Sequence, residues 1–183
     1  MFIAYSLERI YNIPMNQNHT ILILIAIFSS VLLYFLIPEE KTDSISTIEG
    51  VTLTAVNGQQ FRLAGQFTEK PLLLVFWSTT CGSCIEEIPF ICKLHETLKD
   101  KITIIGIHPN FPLKKVQKFV KKYKPAIPYM LAIDSQESLA KTYQISILPR
   151  TLLVNKDGKV LYDHLGYAPE NEKEVIDAIN SIN

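Results

Sequence analysis

Neither charge is in excess in this sequence: 18 lysines and arginines balance 18 aspartates and glutamates over 183 residues. The balance removes the electrostatic ground for a nucleic-acid partner, which needs cations gathered on one face. Lysines gather only in the short run Lys114, Lys115, Lys118, Lys121, Lys122 and Lys124, whose helical spacing reads as a solvated helix face. Cysteine is scarce, at three residues. There is one Cys-x-x-Cys, with no second pair and no clustered histidine pair beside it, so a structural zinc site lacks a donor set. The Pro-x-x-x-Thr-x-x-Cys pattern of thiol peroxidases is missing too, because Leu74 and Ser78 stand at its proline and threonine positions relative to Cys81. Internal repeats and low-complexity tracts are absent, which excludes solenoid and array architectures.

What is present divides the chain by composition. From Ile21 to Ile37 no residue is charged, and at ~1.5 Å per residue a helix of this length reaches the lower limit for crossing a ~30 Å hydrocarbon layer. The expected organisation is a short tail over 1–18, a transmembrane anchor over 19–37, a polar linker over 38–50 and one globular domain over 51–183. A cleaved secretory signal is the competing reading, but signal cores run ~7 to 15 residues and no small-x-small pattern follows Tyr34. Arg9 on one side and Lys41 on the other leave orientation undecided by charge. Met15 is an alternative start.

Within the domain, two short runs flank Asn57-Gly58, a dipeptide suited to the positive backbone angles of a hairpin turn. The apolar runs Pro71–Trp77 and Lys101–His108 are of strand length and continuous, as strands covered on both faces require. Leu113, Val116, Phe119 and Val120 mark an amphipathic helix. Tyr129–Ile133 reads as a strand, and Ser135–Tyr143 as a helix capped by Asp134 or Ser135. A second hairpin turns at Lys156-Asp157-Gly158, and a helix from Pro169 closes the chain. Strands alternating with helices predict an α/β fold with a mixed sheet.

The stretch "FWSTTCGSCIEEIP", Phe76 to Pro89, carries the chemistry. Its cysteines could be a redox pair, half of a metal site or two buried thiols. If Cys81 opens a helix, unpaired backbone N–H groups and the positive end of the dipole favour its thiolate, which makes it the nucleophile. Cys84, one turn on, is placed to resolve a mixed disulfide. At about 100° per residue, Cys84, Ile88, Ile91, Cys92, His95 and Leu98 share a core-facing arc, with Glu87 at its edge and Glu86 in solvent. Partial burial would raise the Glu87 pKa and let it exchange protons with Cys84. Pro89 removes one helical N–H and is expected to kink the helix. Cys92 reads as a buried, inert thiol.

This stretch, with "IIGIHPN" and "YMLAIDSQESLAKTYQISILPRTLLVNKDGKVL", resembles the membrane-anchored TlpA-like, ResA-like and DsbE-like thiol-disulfide oxidoreductases of the thioredoxin superfamily, from about Val51 to the C-terminus. The resemblance implies a thioredoxin-like mixed sheet flanked by helices, with catalytic Cys81, Cys84 and Glu87. It implies a cis-proline at Pro149 that offers backbone to an extended substrate, with Trp77 and Leu148 as further substrate-binding residues. Several positions depart from the family pattern. Thr80 precedes the first cysteine where tryptophan is usual, Ser83 replaces a common proline, Val75 stands where thioredoxins proper carry a buried aspartate, and Leu148 and Arg150 flank Pro149 where small or β-branched residues are usual.

The resulting expectation is a dithiol enzyme needing no cofactor and no metal, acting on protein thiols and disulfides. By resemblance it is a single-pass protein of the bacterial cytoplasmic membrane, with its domain outside the cytoplasm and a membrane electron-donor protein as partner. It serves as a reductase, for example in cytochrome c maturation. The alternatives are a disulfide-forming oxidase of the same fold and a Cu(I)-binding chaperone drawing a third ligand from His164 or His108, although such chaperones space their cysteines by three residues rather than two. His95 reads as a core histidine.

Overall fold

Alternation decides how the sheet is covered. In the strand Leu72–Phe76 (β3) all five residues are buried, and they point alternately to two faces. Leu73 and Val75 join one apolar cluster, while Leu72, Leu74 and Phe76 join the other. A strand covered on both sides must sit centrally, and it does, in a seven-stranded sheet.

The computed structural model describes residues 50–66 and 70–182, together with 23, 25–29 and 48. In chain order the elements are β1 (Thr52–Ala55), β2 (Gln60–Arg62), β3, helix α1 (Gly82–Leu98), β4 (Thr103–Pro109), α2 (Leu113–Lys122), β5 (Met130–Asp134), α3 (Ser138–Thr142), β6 (Arg150–Val154), β7 (Val160–Leu165) and α4 (Glu172–Asn180). The strand order is β2-β1-β5-β4-β3-β6-β7. β3, β4 and β5 run parallel, and the other pairings are antiparallel, so the mixed α/β sheet expected from the sequence is present. Residues of α1, α2 and α4 pack in the cluster with Leu73 and Val75; Leu139 of α3 packs in the other.

Several local expectations are refined. In the first turn only Gly58 has a positive φ, 94°, and Asn57 instead accepts the Gln59 N–H on its side-chain oxygen, 2.9 Å away. The Asp134 carboxylate does cap a helix, accepting from the backbone N–H groups of Ser138, Leu139 and Ala140. That helix starts only at Ser138 because Glu137 takes a left-handed φ of 54°. Helix α1 continues through Pro89, which lies on its exposed face.

The buried face of α1 is rotated from the arc read in the sequence, towards Glu87, Phe90 and Leu94. Phe90 stacks on Tyr167, just before α4, and this contact draws the helix face round. Cys92 is therefore half-buried rather than buried, and His95 is half-buried beside Tyr129.

The chain divides into two units, residues 1–42 and 43–183. Ile48, in the stretch read as linker, is 3% exposed and belongs to the core cluster of Val51 and Leu53, so ordered packing begins before residue 51. Of the apolar span, Ile23 and residues 25–29 are helical and exposed. The rest of the expected anchor, like the tail over 1–18 and most of the linker, lies outside the described residues. Among the described residues no helix is long and apolar enough to cross a membrane.

Candidate active site

The loop that leaves β3 is folded by its own polar groups. Trp77 N–H donates to Ile107 O at 3.0 Å, extending the β3–β4 pairing by one residue. The chain then turns: Cys81 N–H donates to Ser78 O, and the Ser78 and Thr80 hydroxyls lie 3.0 Å apart. The turn delivers Cys81 to the N-cap of α1, where its Sγ accepts the Cys84 N–H at 3.2 Å. A helix start leaves such N–H groups without backbone partners, so a sulfur that accepts one is stabilised as an anion.

Cys81 and Cys84 are joined as a disulfide, with Cα atoms 5.2 Å apart. The pair is unequal. Cys81 is half-exposed, whereas Cys84 is 1% exposed and packed in the core with Ile88 and Val75. An incoming sulfur can reach Cys81 and not Cys84.

Glu87 lies one helical turn beyond Cys84, on the same side of α1. It is 3% exposed, deeper than the edge position read from the sequence. Its Oε1 accepts the Thr151 hydroxyl at 3.1 Å, and its Oε2 meets no partner among the described residues. Burial pushes its pKa from 4.5 to about 7, against the smaller opposing effect of the Thr151 bond. A carboxyl poised near neutrality can take or give a proton at little cost. Thr151 was not singled out from the sequence. The signal was available: Leu153 faces α1, and a strand period of two puts Thr151 on that face, directly across from Val75.

The Leu148–Pro149 bond is cis, as the resemblance implied. The register that pairs Phe76 with Arg150 sets Pro149 level with Trp77, just past the end of β3. Pro149 O accepts the Gly166 N–H at 2.8 Å, while no described backbone hydrogen bond uses the N–H or C=O of half-exposed Leu148. Arg150, rather than reaching out to a partner, forms a two-pronged ion pair with Asp163.

Trp77 is 3% exposed, packed between His108 and Phe119, so it shapes the site from beneath. Gly106 makes room for it, since a Cβ there would stand 3.3 Å from Trp77 Nε1 and 2.6 Å from Leu131 Cδ2.

His108 is buried and fully engaged. Its Nδ1 lies 2.9 Å from Pro109 O, an acceptor only, so Nδ1 carries the hydrogen and Nε2 accepts the Thr79 N–H at 3.2 Å. This neutral ring, with its pKa lowered by burial, holds the loop two residues before Cys81. His164 bonds Tyr162 and Asn171 instead. Among the described residues no three His, Cys, Asp or Glu groups cluster to hold a metal ion, and neither histidine offers an unengaged nitrogen as the third ligand of a copper site.

Unequal sulfurs across the first turn of a helix, beside a cis-proline at the C-terminal ends of parallel strands, define a dithiol redox domain of thioredoxin-like fold. Residues 40–179 match the redoxin family. The thiol-disulfide oxidoreductase ResA of Bacillus thuringiensis subsp. konkukian is 31% identical over 137 residues, covering 74% of this chain and 78% of that protein. Among solved structures, the Chlorobium tepidum protein described as thiol:disulfide interchange protein DsbE superposes with a TM-score of 0.63 at 22% identity, covering 71% of this chain and 90% of its own. The exposed lipoprotein thioredoxin Etrx1 of Streptococcus pneumoniae gives 0.63 at 17%, covering 72% and 98%; at such identities these two likenesses speak to fold. The chain belongs to the redoxin family and, within it, to the thiol-disulfide oxidoreductases of the ResA/DsbE type.

Proposed function

We propose that this oxidoreductase is anchored by the apolar span 19–37 in a bacterial cytoplasmic membrane and works outside the cytoplasm as a reductase of protein disulfides. Apocytochromes c awaiting haem are fitting substrates, and a membrane dithiol protein returns the electrons. The observation that carries the reading is the difference in access: Cys81 is open and held by a helix N–H, while Cys84 is shut in the core beside Glu87.

In the reduced enzyme the Cys81 thiolate attacks one sulfur of a substrate disulfide, and the other substrate sulfur leaves as a thiolate that takes up a proton from water. A mixed disulfide results. Cys84 then passes its proton to the Glu87 carboxylate, attacks Cys81 Sγ and expels the substrate's second sulfur, which takes up a proton. Two electrons have moved to the substrate, leaving the Cys81–Cys84 disulfide described above. The donor dithiol reverses these steps on the enzyme. No other cofactor enters. The open backbone of Leu148 supports the substrate as an added strand.

Equilibrating the protein with glutathione buffers tests the direction. A midpoint near thioredoxin's, ~−270 mV, or lower fits a reductase, and one near DsbA's ~−120 mV reverses it to an oxidase. Cys84→Ala should trap substrate proteins on Cys81 in cells, and their absence would remove proteins as the substrate class.

A further inference from the structure

Helix α2 carries a charge pattern that its own stability does not explain. Between Asp100 and Asp134 the chain has seven lysines and no acidic residue, although the whole molecule is formally neutral. Six of the seven, Lys114, Lys115, Lys118, Lys121, Lys122 and Lys124, lie in α2 or just beyond it, and all six are exposed. At about 100° per residue the five within the helix share an arc of roughly 120°, opposite Val116 and Val120, which pack with the core. Among the described residues none of the six forms an ion pair.

Local energetics run against this arrangement. Lys114 and Lys115 stand in the first turn, where the positive end of the helix dipole favours carboxylates; no acidic residue occupies that turn, and no side chain caps it. Lys118 lies four residues from both Lys114 and Lys122, a spacing at which like charges repel. One glutamate within the arc would relieve both effects. Only Lys121 and Lys122, in the last turn, suit the dipole. Solvation alone does not exclude carboxylates from a helix face, so the single sign has another cause.

The chemistry of the face selects its partner. The arc holds no arginine, whose planar fork recognises single carboxylates or phosphates, and lysine is depleted in protein–protein interfaces. Compact ammonium charges spread along a helix suit the diffuse negative field of an anionic bilayer. Beyond the helix the chain continues into Pro125, Ala126, Pro128 and Met130, all exposed, an apolar tip beside a basic face, as at membrane interfaces. We propose that the lysine face of α2, with this tip, rests on anionic phospholipid headgroups. The proposal rests on the anchoring reading above, which brings a bilayer within reach, and deepens it by naming the face that meets the lipid. Lys115 lies over the Phe111 ring, which stacks on His108, so the docked face begins beside the loop that carries Cys81, near a donor in the same membrane.

The test uses the full chain, reconstituted in nanodiscs of phosphatidylcholine alone or with about 30% phosphatidylglycerol to make the surface anionic. A water-soluble reagent acetylates the lysines, and mass spectrometry reads each site. In the phosphatidylglycerol discs the labelling rates of the six lysines should fall about fivefold, the factor that matches the attraction of one lysine to an anionic surface. Lys141 of α3, the helix on the opposite face of the sheet, should keep its rate. Sodium chloride at about 0.5 M should restore the six rates by screening. In the triple variant Lys118→Gln, Lys121→Gln, Lys122→Gln, labelling at Lys114 and Lys115 should no longer depend on the lipid. Equal rates in the two discs overturn the inference, whether or not an acidic protein protects the same lysines in cells, and leave the anchoring reading standing. If alkaline carbonate strips the protein from the discs, the anchoring reading falls, and the same labelling on vesicles of the two compositions decides the lipid contact by itself.

Discussion

Replacing Glu87 by glutamine removes a buried ionisable carboxyl while keeping an oxygen for the Thr151 hydroxyl to meet. In the folded oxidised protein this carboxyl has its pKa pushed by burial from 4.5 to about 7. Below pH 4.5 the group is protonated whether the chain is folded or not, and contributes nothing to pH dependence. Between 4.5 and about 7 the folded chain keeps a proton that the unfolded chain has lost, so raising the pH through this window withdraws stability. Above it the full cost persists, and at 1.36 kcal/mol per pH unit it comes to about 3 kcal/mol. Urea unfolding of wild type and Glu87→Gln, both oxidised, from pH 4 to 8.5 should therefore give curves that separate by about 3 kcal/mol in favour of the variant as pH rises. The constant offset between the curves includes an unpaired amide N–H worth about 1–3 kcal/mol in the other direction, so the change with pH is the diagnostic quantity. Parallel curves would refute the account of Glu87 as a carboxyl held neutral by burial. The variant should also slow disulfide exchange by about 10²-fold, the lower end for lost general acid–base catalysis.

Thr151→Val removes the bond that opposes the effect of burial on Glu87, so the Glu87 transition in the same pH series should move upward, with a loss of about 1–3 kcal/mol for the unpaired carboxyl. His108, whose folded pKa lies below 6.5, acts with the opposite sign: the unfolded chain takes up its proton first, so stability falls as pH drops below 6.5, and His108→Gln should remove that fall. His108→Phe deletes the acceptor for the Thr79 N–H as well and should lower the rate of Cys81 alkylation in the reduced protein, with partial recovery in His108→Gln. Gly106→Ala places a Cβ 2.6 Å from Leu131 Cδ2, an overpacking that costs about 1–3 kcal/mol. The fluorescence of Trp77, the one tryptophan in the chain, reports whether its pocket has shifted.

The fold and the place of Cys81 at a helix start were legible because each rests on a local pattern. Runs such as Leu72–Phe76 are continuous enough to require two covered faces, and Cys81 announces its place through the helix that follows. Glu87 was legible by angle alone, though the angle understated its depth. Helical periodicity gives relative directions, and the true zero is set by what the helix meets. Here Phe90 stacking on Tyr167, from the far end of the chain, turned the face and left Cys92 half-exposed. Thr151 and the His108–Thr79 bond were hidden for a related reason. Each joins residues tens of positions apart, 64 for Glu87 and Thr151 and 29 for His108 and Thr79, and only strand register brings them together. The left-handed turns at Glu137 and Gln144 were hidden because neither residue is the glycine that would have signalled them.

The same long-range contacts explain how a domain with two chemically identical sulfurs makes them behave differently. Cys81 owes its character to the loop: the Ser78 turn and the His108 bond to Thr79 hold the chain so that its sulfur meets the Cys84 N–H at the mouth of the helix. Cys84 owes its character to the sheet, where Val75 in place of an acid leaves it in an apolar layer and burial disfavours its thiolate. A thiol in that layer needs a nearby base before it can attack, and Glu87, fixed over β6 by Thr151, is the ionisable group one helical turn away. In the proposed mechanism, helix start, core packing and cross-strand register assign attack, resolution and proton transfer to three residues within two turns of one helix. Exchanging the roles of the two cysteines would require exchanging the loop and the sheet around them.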